Sequence, residues 1–103
     1  MQKSCIFCDK PANDLILEND QAKAFYDLQP MSKGHLLIMP KGHYVTWFDV
    51  SEDVQVKVIE LMNDAKKQLD KQYHPQGYQV FSHVGKAAGQ TVFHAHIHLV
   101  PVY

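Results

Sequence analysis

The stretch that most constrains this chain is Gly89-Gln90-Thr91-Val92-Phe93-His94-Ala95-His96-Ile97-His98-Leu99-Val100-Pro101, where histidine alternates with small or apolar residues between a glycine and a proline. Such alternation predicts a strand, and in a strand residues two apart share a face. Phe93, Ala95, Ile97 and Leu99 are expected on the buried face. His94, His96 and His98 are expected in a row on the other, neighbouring imidazoles about 7 Å apart. A solvated face would more simply use Thr, Lys or Glu, so the row points to chemistry, either metal binding or a nucleophile with its acid/base neighbours. The second fits better: His96 is the flanked middle member, and the loop ahead of it is small and rich in donors. There the backbone of Gly89 and Gln90 and the Thr91 hydroxyl are the candidate phosphate contacts.

The chain has 103 residues, room for one domain, taken as 1–103, with 46% hydrophobic and 20% charged side chains to form a core and a solvated surface. A net charge of −1 offers no footprint for nucleic acid or an anionic membrane, so phosphate binding has to be local. No apolar run approaches the roughly 20 residues of a membrane span, and Met1-Gln2-Lys3-Ser4-Cys5 lacks the apolar core of a signal peptide. The expected location is the cytoplasm.

Two cysteines, Cys5 and Cys8, form a Cys-x-x-Cys pair with three readings: a redox dithiol, half a zinc site, or two small buried residues. The redox reading expects a strand running into a helix, whereas Asp9-Lys10-Pro11-Ala12-Asn13 reads as loop. Zinc needs two further ligands, and spare histidines exist.

Farther along, Leu15 to Glu18 reads as a short strand, Asn19-Asp20 as a turn, and Gln21 to Leu28 as the hairpin partner. His35 to Met39 is a further strand, after which Pro40-Lys41-Gly42 turns the chain. Tyr44 to Phe48 is expected to cover one sheet edge as a short helix. Ser51 is the expected N-cap of a long helix with Val54, Val58, Leu61, Met62, Ala65, Leu69 and Tyr73 on one apolar stripe. His74-Pro75-Gln76-Gly77 ends it, and Gly77 to His83 is a strand leading into the loop and the histidine row.

His94-Ala95-His96-Ile97-His98-Leu99-Val100, with Gly89-Gln90-Thr91-Val92 before it, resembles the signature of the histidine triad (HIT) family. Ile6-Phe7-Cys8, Ala24-Phe25-Tyr26-Asp27 and Gly34-His35-Leu36-Leu37-Ile38-Met39-Pro40-Lys41-Gly42-His43 are similar to its Hint branch, so the resemblance covers nearly the whole chain. It implies an α+β domain with a roughly five-stranded antiparallel sheet, one long helix and one short one, and a homodimer. It also implies a nucleotide hydrolase in which His96 attacks the α-phosphate of a nucleoside phosphoramidate, an aminoacyl nucleotide or a dinucleoside polyphosphate, supported by His94, His98 and His35. Ile6, Phe7 and Phe25 would sandwich the base, Asp27 would accept from the ribose, and a structural zinc would sit on Cys5, Cys8, His43 and His94. A backbone carbonyl near Gly89 is the expected acceptor for the second nitrogen of His96. His83 departs from the pattern, which has Asn there; an imidazole in the nucleoside site can donate only one hydrogen bond at a time in its neutral form.

Two other readings remain at this point. Three histidines on one catalytic zinc would make a metallohydrolase, and the same pocket without chemistry would make a nucleotide-binding regulatory module.

Overall fold

The computed structural model describes residues 5–103, so the reading of Met1 to Ser4 lies outside the described residues. Five strands, β1 (Leu17–Glu18), β2 (Ala22–Tyr26), β3 (Leu36–Pro40), β4 (Gly77–Phe81) and β5 (Ile97–Val102), form one antiparallel sheet in the order β1-β2-β3-β5-β4. The long helix α1 (Glu52–Tyr73) carries the chain from β3 to the far edge. The return strand β5 then inserts between β3 and β4, so the 82–96 connection crosses one end of the sheet.

Helix α1 forms because its apolar residues recur at three- and four-residue steps. Val58, Leu61, Ala65 and Leu69 are buried against Ala22, Ala24, Leu36, Ile38, Ile97 and Leu99 on one sheet face, with Val54, Met62 and Tyr73 at the margin. Ala22 and Ala24 lack bulk where the helix crosses β2. Ser51 stands at the N-cap, but its side chain makes no capping hydrogen bond. His74 closes the helix in the left-handed region, φ 52°, its N–H on the Asp70 carbonyl.

The other sheet face carries a second, smaller core of Phe7, Phe25, Leu37 and Met39. Both faces are covered, which is why β2 and β3 read as nearly unbroken apolar runs. The register aligns Phe25 with Leu37, Leu37 with His98, and His98 with Phe81. That row crosses four strands on the face away from α1.

Two expectations need correction. The short helix is a 3-10 turn at Trp47–Asp49, closed by reciprocal bonds between Thr46 and Asp49. Trp47 packs against the main core while Phe48 points out, so this turn is no lid on a sheet edge. The histidine row is not one strand either: β5 begins only at Ile97. Pairing with β3 stops at Ile38↔Ile97, because Pro40 has no N–H for a ladder and its carbonyl lies 2.9 Å from His94 Nε2. On the other side the His96 carbonyl accepts from Ser82 Oγ, and the His94 carbonyl faces a ring nitrogen of His96. Side chains occupy the acceptors a ladder would use. Phe93, expected inside, is consequently 47% exposed, whereas Ala95, Ile97 and Leu99 are buried as expected.

Candidate active site

A cavity of about 530 Å³ opens on the sheet face opposite α1, within the size range of small-ligand sites. Ile6, Phe7, Phe25, Leu28 and Leu37 line one half; His83, Gly89, Gln90, Thr91, His96 and His98 line the other, with Lys10 and Asp27 on the wall. Phe25 is both core and lining, 2% exposed and edge-on to Phe7 at 5.5 Å between ring centres. Ile6 projects from the mouth.

The three alternating histidines do different things. His94 is fully buried and turned away from the cavity. Its Nδ1 lies 3.3 Å from Cys5 Sγ and 3.4 Å from Cys8 Sγ, and its Nε2 donates to the Pro40 carbonyl. That bond puts the proton on Nε2 and the lone pair of Nδ1 toward the sulfurs. His43 Nδ1 is 3.4 Å from Cys8 Sγ, and the four ligand atoms lie within 4.8 Å of one another. Two thiols and two imidazoles, one already oriented by an outer carbonyl, fit a closed tetrahedral zinc site. The Lys23 ammonium, inside the sheet, donates to the Phe7 carbonyl and ties down the turn between the cysteines.

His96 lines the cavity at 8% exposure. Its Nδ1 is 2.7 Å from the His94 carbonyl, which can only accept, so Nδ1 carries the proton and Nε2 the lone pair. The carbonyl expected near Gly89 is thus that of His94, two residues back, because the bent backbone turns it under the ring. Burial holds His96 below the usual imidazole range and so neutral, against the favourable carbonyl bond.

His98 receives its orientation from His35. The Met31 N–H donates to His35 Nδ1 at 3.0 Å, so the His35 proton is on Nε2, which donates to His98 Nδ1 at 2.9 Å. His98 in turn has its proton on Nε2. His35 is buried at 1% exposure, which removes the alternative of a solvated histidine at the start of β3. Burial first, then the neighbouring His96 and His35, pushes His98 down to about 4. Asp27 Oδ2 stands 3.5 Å from His35 Nε2, and Oδ1 accepts the Gln29 N–H. Asp27, His35 and His98 cluster closely enough for a metal, but the Nε2 proton of His35 blocks the lone pair a metal would need.

The three imidazoles therefore do not converge on one point, which removes the three-histidine zinc reading. The phosphate loop is also different from expectation. It closes as a 3-10 turn at Lys86–Ala88, where the Gly89 N–H bonds the Lys86 carbonyl and the Gln90 N–H bonds the Gly85 carbonyl. The Gln90 side chain braces the loop, accepting from Gly85 N–H and donating to the Val45 and Val92 carbonyls. Of the three expected contacts, Thr91 stands at the exposed rim of the cavity and takes no part in these bonds. Gly89, at φ 99°, lets the backbone pass His83, whose Nδ1 would be 3.4 Å from an added Cβ.

Residues that sequence reading missed also shape the cavity. The Phe81 ring stacks on His98 at 4.6 Å and on His83 at 5.3 Å, and Lys10 stands over the Phe25 ring at 4.8 Å. Only the register, which sets Phe81 opposite His98, reveals the first.

The chain is similar in sequence and in fold to known proteins. The chain is 33% identical over 102 residues to an adenosine 5'-monophosphoramidase of Schizosaccharomyces pombe, covering 95% of this chain and 74% of that one. A HIT family protein of Bacillus anthracis superposes with a TM-score of 0.92 at 29% identity, over 100% of this chain and 76% of that one. A Zn-bound histidine triad family protein of Mycobacterium smegmatis does so with a TM-score of 0.86 at 32% identity, over 97% and 76%. The HIT domain family itself matches residues 10–103, and the chain belongs to that family.

Proposed function

We propose that the protein is a nucleotide hydrolase that works through a nucleotidyl-histidine formed on His96, with a nucleoside phosphoramidate as the preferred substrate class. The observation that carries this reading is the tautomer of His96, one of the histidines lining the cavity: His96 Nδ1–H is committed to the His94 carbonyl, which leaves Nε2 neutral and unprotonated. A neutral imidazole is a nucleophile for phosphorus, and a covalent intermediate divides one hard displacement into two easier ones. The His98 Nε2–H and the Thr91 hydroxyl are the donors for the phosphoryl oxygens, where preorganised donors contribute most. The base lies against Phe7 and Phe25, and Asp27 accepts from the ribose, its carboxylate having acceptor sites beyond the Gln29 bond.

Zinc on Cys5, Cys8, His43 and His94 is part of the same reading. When bound it supplies no chemistry to the substrate; it fixes the Cys-x-x-Cys turn that carries Ile6 and Phe7, and it holds His94, whose carbonyl orients His96. Two copies form a homodimer, supported by the family and by the outer edge of β4, unpaired among the described residues, where Val80 is exposed.

The reading is tested with adenosine 5′-phosphoramidate. Release of adenosine monophosphate by the parent and its loss in His96→Gly is the expected result. Turnover that survives in His96→Gly overturns the mechanism. Binding without turnover in the parent favours the regulatory module.

A further inference from the structure

We propose that His83 is a catalytic residue of this cavity, giving a proton to the leaving group in the first displacement and taking one from water in the second. The inference rests on the nucleotidyl-histidine reading above and concerns a different step of it.

The cross-strand row sets the direction of the site. Phe25 on β2 and Phe81 on β4 are its two ends, three strand spacings or about 14 Å apart, with His98 next to Phe81. The apolar end takes the nucleoside. The leaving group departs on the side of phosphorus opposite His96 Nε2, away from that end, and His83 stands there, stacked on Phe81 with its ring centre 5.7 Å from that of His98. Its ring is exposed, lines the cavity, and among the described residues is held by ring contacts and by Gly89.

Elimination leads to the same residue. The titratable groups lining the cavity are Lys10, Tyr26, Asp27, His83, His96 and His98. The Tyr26 hydroxyl is paired with that of Tyr73 on α1, on the other side of the sheet. Lys10 stands over Phe25 at the nucleoside end. Asp27 takes the Gln29 N–H on one oxygen, turns the other toward His35, and belongs to the ribose end of the cavity. The His96 proton is on Nδ1 against the His94 carbonyl. His98 accepts at Nδ1 and is neutral, so loss of its one proton would leave an imidazolate. His83 is left as the cavity-lining imidazole with neither ring nitrogen hydrogen-bonded among the described residues. The titratable groups that face His83 are His96 and His98, both held neutral; Lys86 is the charged residue of the adjoining loop. Imidazole is the side chain suited to both giving and taking a proton between pH 5 and 8.

The steps balance. As the His96 Nε2–P bond forms, the P–N bond breaks with its electron pair going to nitrogen, and the His83 imidazolium proton goes to that nitrogen, releasing the amine. In the second step neutral His83 takes a proton from water as the O–P bond forms, and the Nε2–P pair returns to His96.

The test compares His83→Asn with the parent on two substrates, by rapid quench and intact mass. Adenosine 5′-phosphoramidate has a leaving group that needs a proton; the 4-nitrophenyl ester of adenosine 5′-monophosphate has one that leaves as a stable anion. In the variant the first-step rate on the phosphoramidate should fall about 100-fold, in the range of general acid catalysis, with less than about threefold on the ester. The His96 adduct from the ester should also accumulate, because its hydrolysis has lost the base. The ratio is internal to each protein, so partial misfolding does not move it. Equal slowing on both substrates, or none, overturns the role of His83 while the parent's adduct still stands. Absence of an adduct in the parent overturns the underlying reading and this inference with it.

Discussion

His94 and His96 are two residues apart, both buried, and both neutral, yet their rings face different surroundings. The difference lies in what receives the proton-bearing nitrogen. His94 donates from Nε2 to the Pro40 carbonyl and points Nδ1 at two sulfurs; His96 donates from Nδ1 to the His94 carbonyl and points Nε2 at the cavity. A carbonyl placed on one side or the other of a ring decides whether its lone pair faces the cysteine cluster or the cavity. The two ends are coupled, since the carbonyl that orients His96 belongs to His94, in the cysteine cluster.

The largest expected effect falls on the cavity end. His96→Gly should lower turnover of adenosine 5′-phosphoramidate by at least about 10⁴-fold, as removal of a nucleophile does, with a thermal midpoint within a few degrees of the parent. Replacing the corresponding residue of the cluster should do the reverse. Cys8→Ser should abolish the zinc stoichiometry measured by mass spectrometry and lower stability by about 2–4 kcal/mol, on the order of 10–20 °C in Tm for a chain of this size. Turnover of the protein still folded should then change by less than about tenfold. Zinc lost with an unchanged Tm would sink the structural role of the metal.

Below these comes a pH effect, read here at His98 on the cavity end. His98 is neutral in the native state down to about 4, whereas the unfolded chain takes that proton near 6.5. Between those values the unfolded state binds more protons, so stability is fully present above pH 6.5, falls as pH drops toward 4, and levels off below. The contribution of His98 is on the order of 3 kcal/mol. Urea unfolding at pH 7 and pH 4.5 should show a smaller difference in His98→Gln than in the parent; equal differences would contradict the neutral relay from Met31 through His35.

The smallest effect concerns the loop between the ends. Gln90→Ala removes the brace from Gly85, Val45 and Val92 and leaves those partly buried groups to solvent, at a cost of about 1 kcal/mol. Because the side chain holds the loop and the backbone N–H of Gln90 is bonded inside it, KM should rise more than kcat falls. A phosphate contact made by the side chain would instead depress kcat.

Local periodicity was enough to read the long helix, the hairpin of β1 and β2, and the burial of Ala95, Ile97 and Leu99. What escaped it depended on distant partners. Alternation through His94 reads as strand, but the ladder fails at Pro40, fifty-four positions away, where an N–H is missing and a carbonyl is taken. The phosphate loop reads as a set of free donors, but its N–H groups close on Gly85 and Lys86. Spacing could not divide the triad, since three identical side chains in alternation carry no sign of which nitrogen is bonded. The family resemblance suggested the partners of His94, and the fold brings Cys5, Cys8 and His43 to it. Phe81 was invisible because nothing in its neighbourhood of sequence indicates that it lies opposite His98.

The most direct test of the division between His94 and His96 is to mix the protein with adenosine 5′-phosphoramidate, quench it in denaturant within milliseconds, and map the nucleotidyl mass by peptide fragmentation. One nucleotidyl group on His96, absent from His94 and His98 and lost in His96→Gly, is the result this account predicts. A nucleotidyl group on another residue, or turnover with none on His96 at any time, would contradict it.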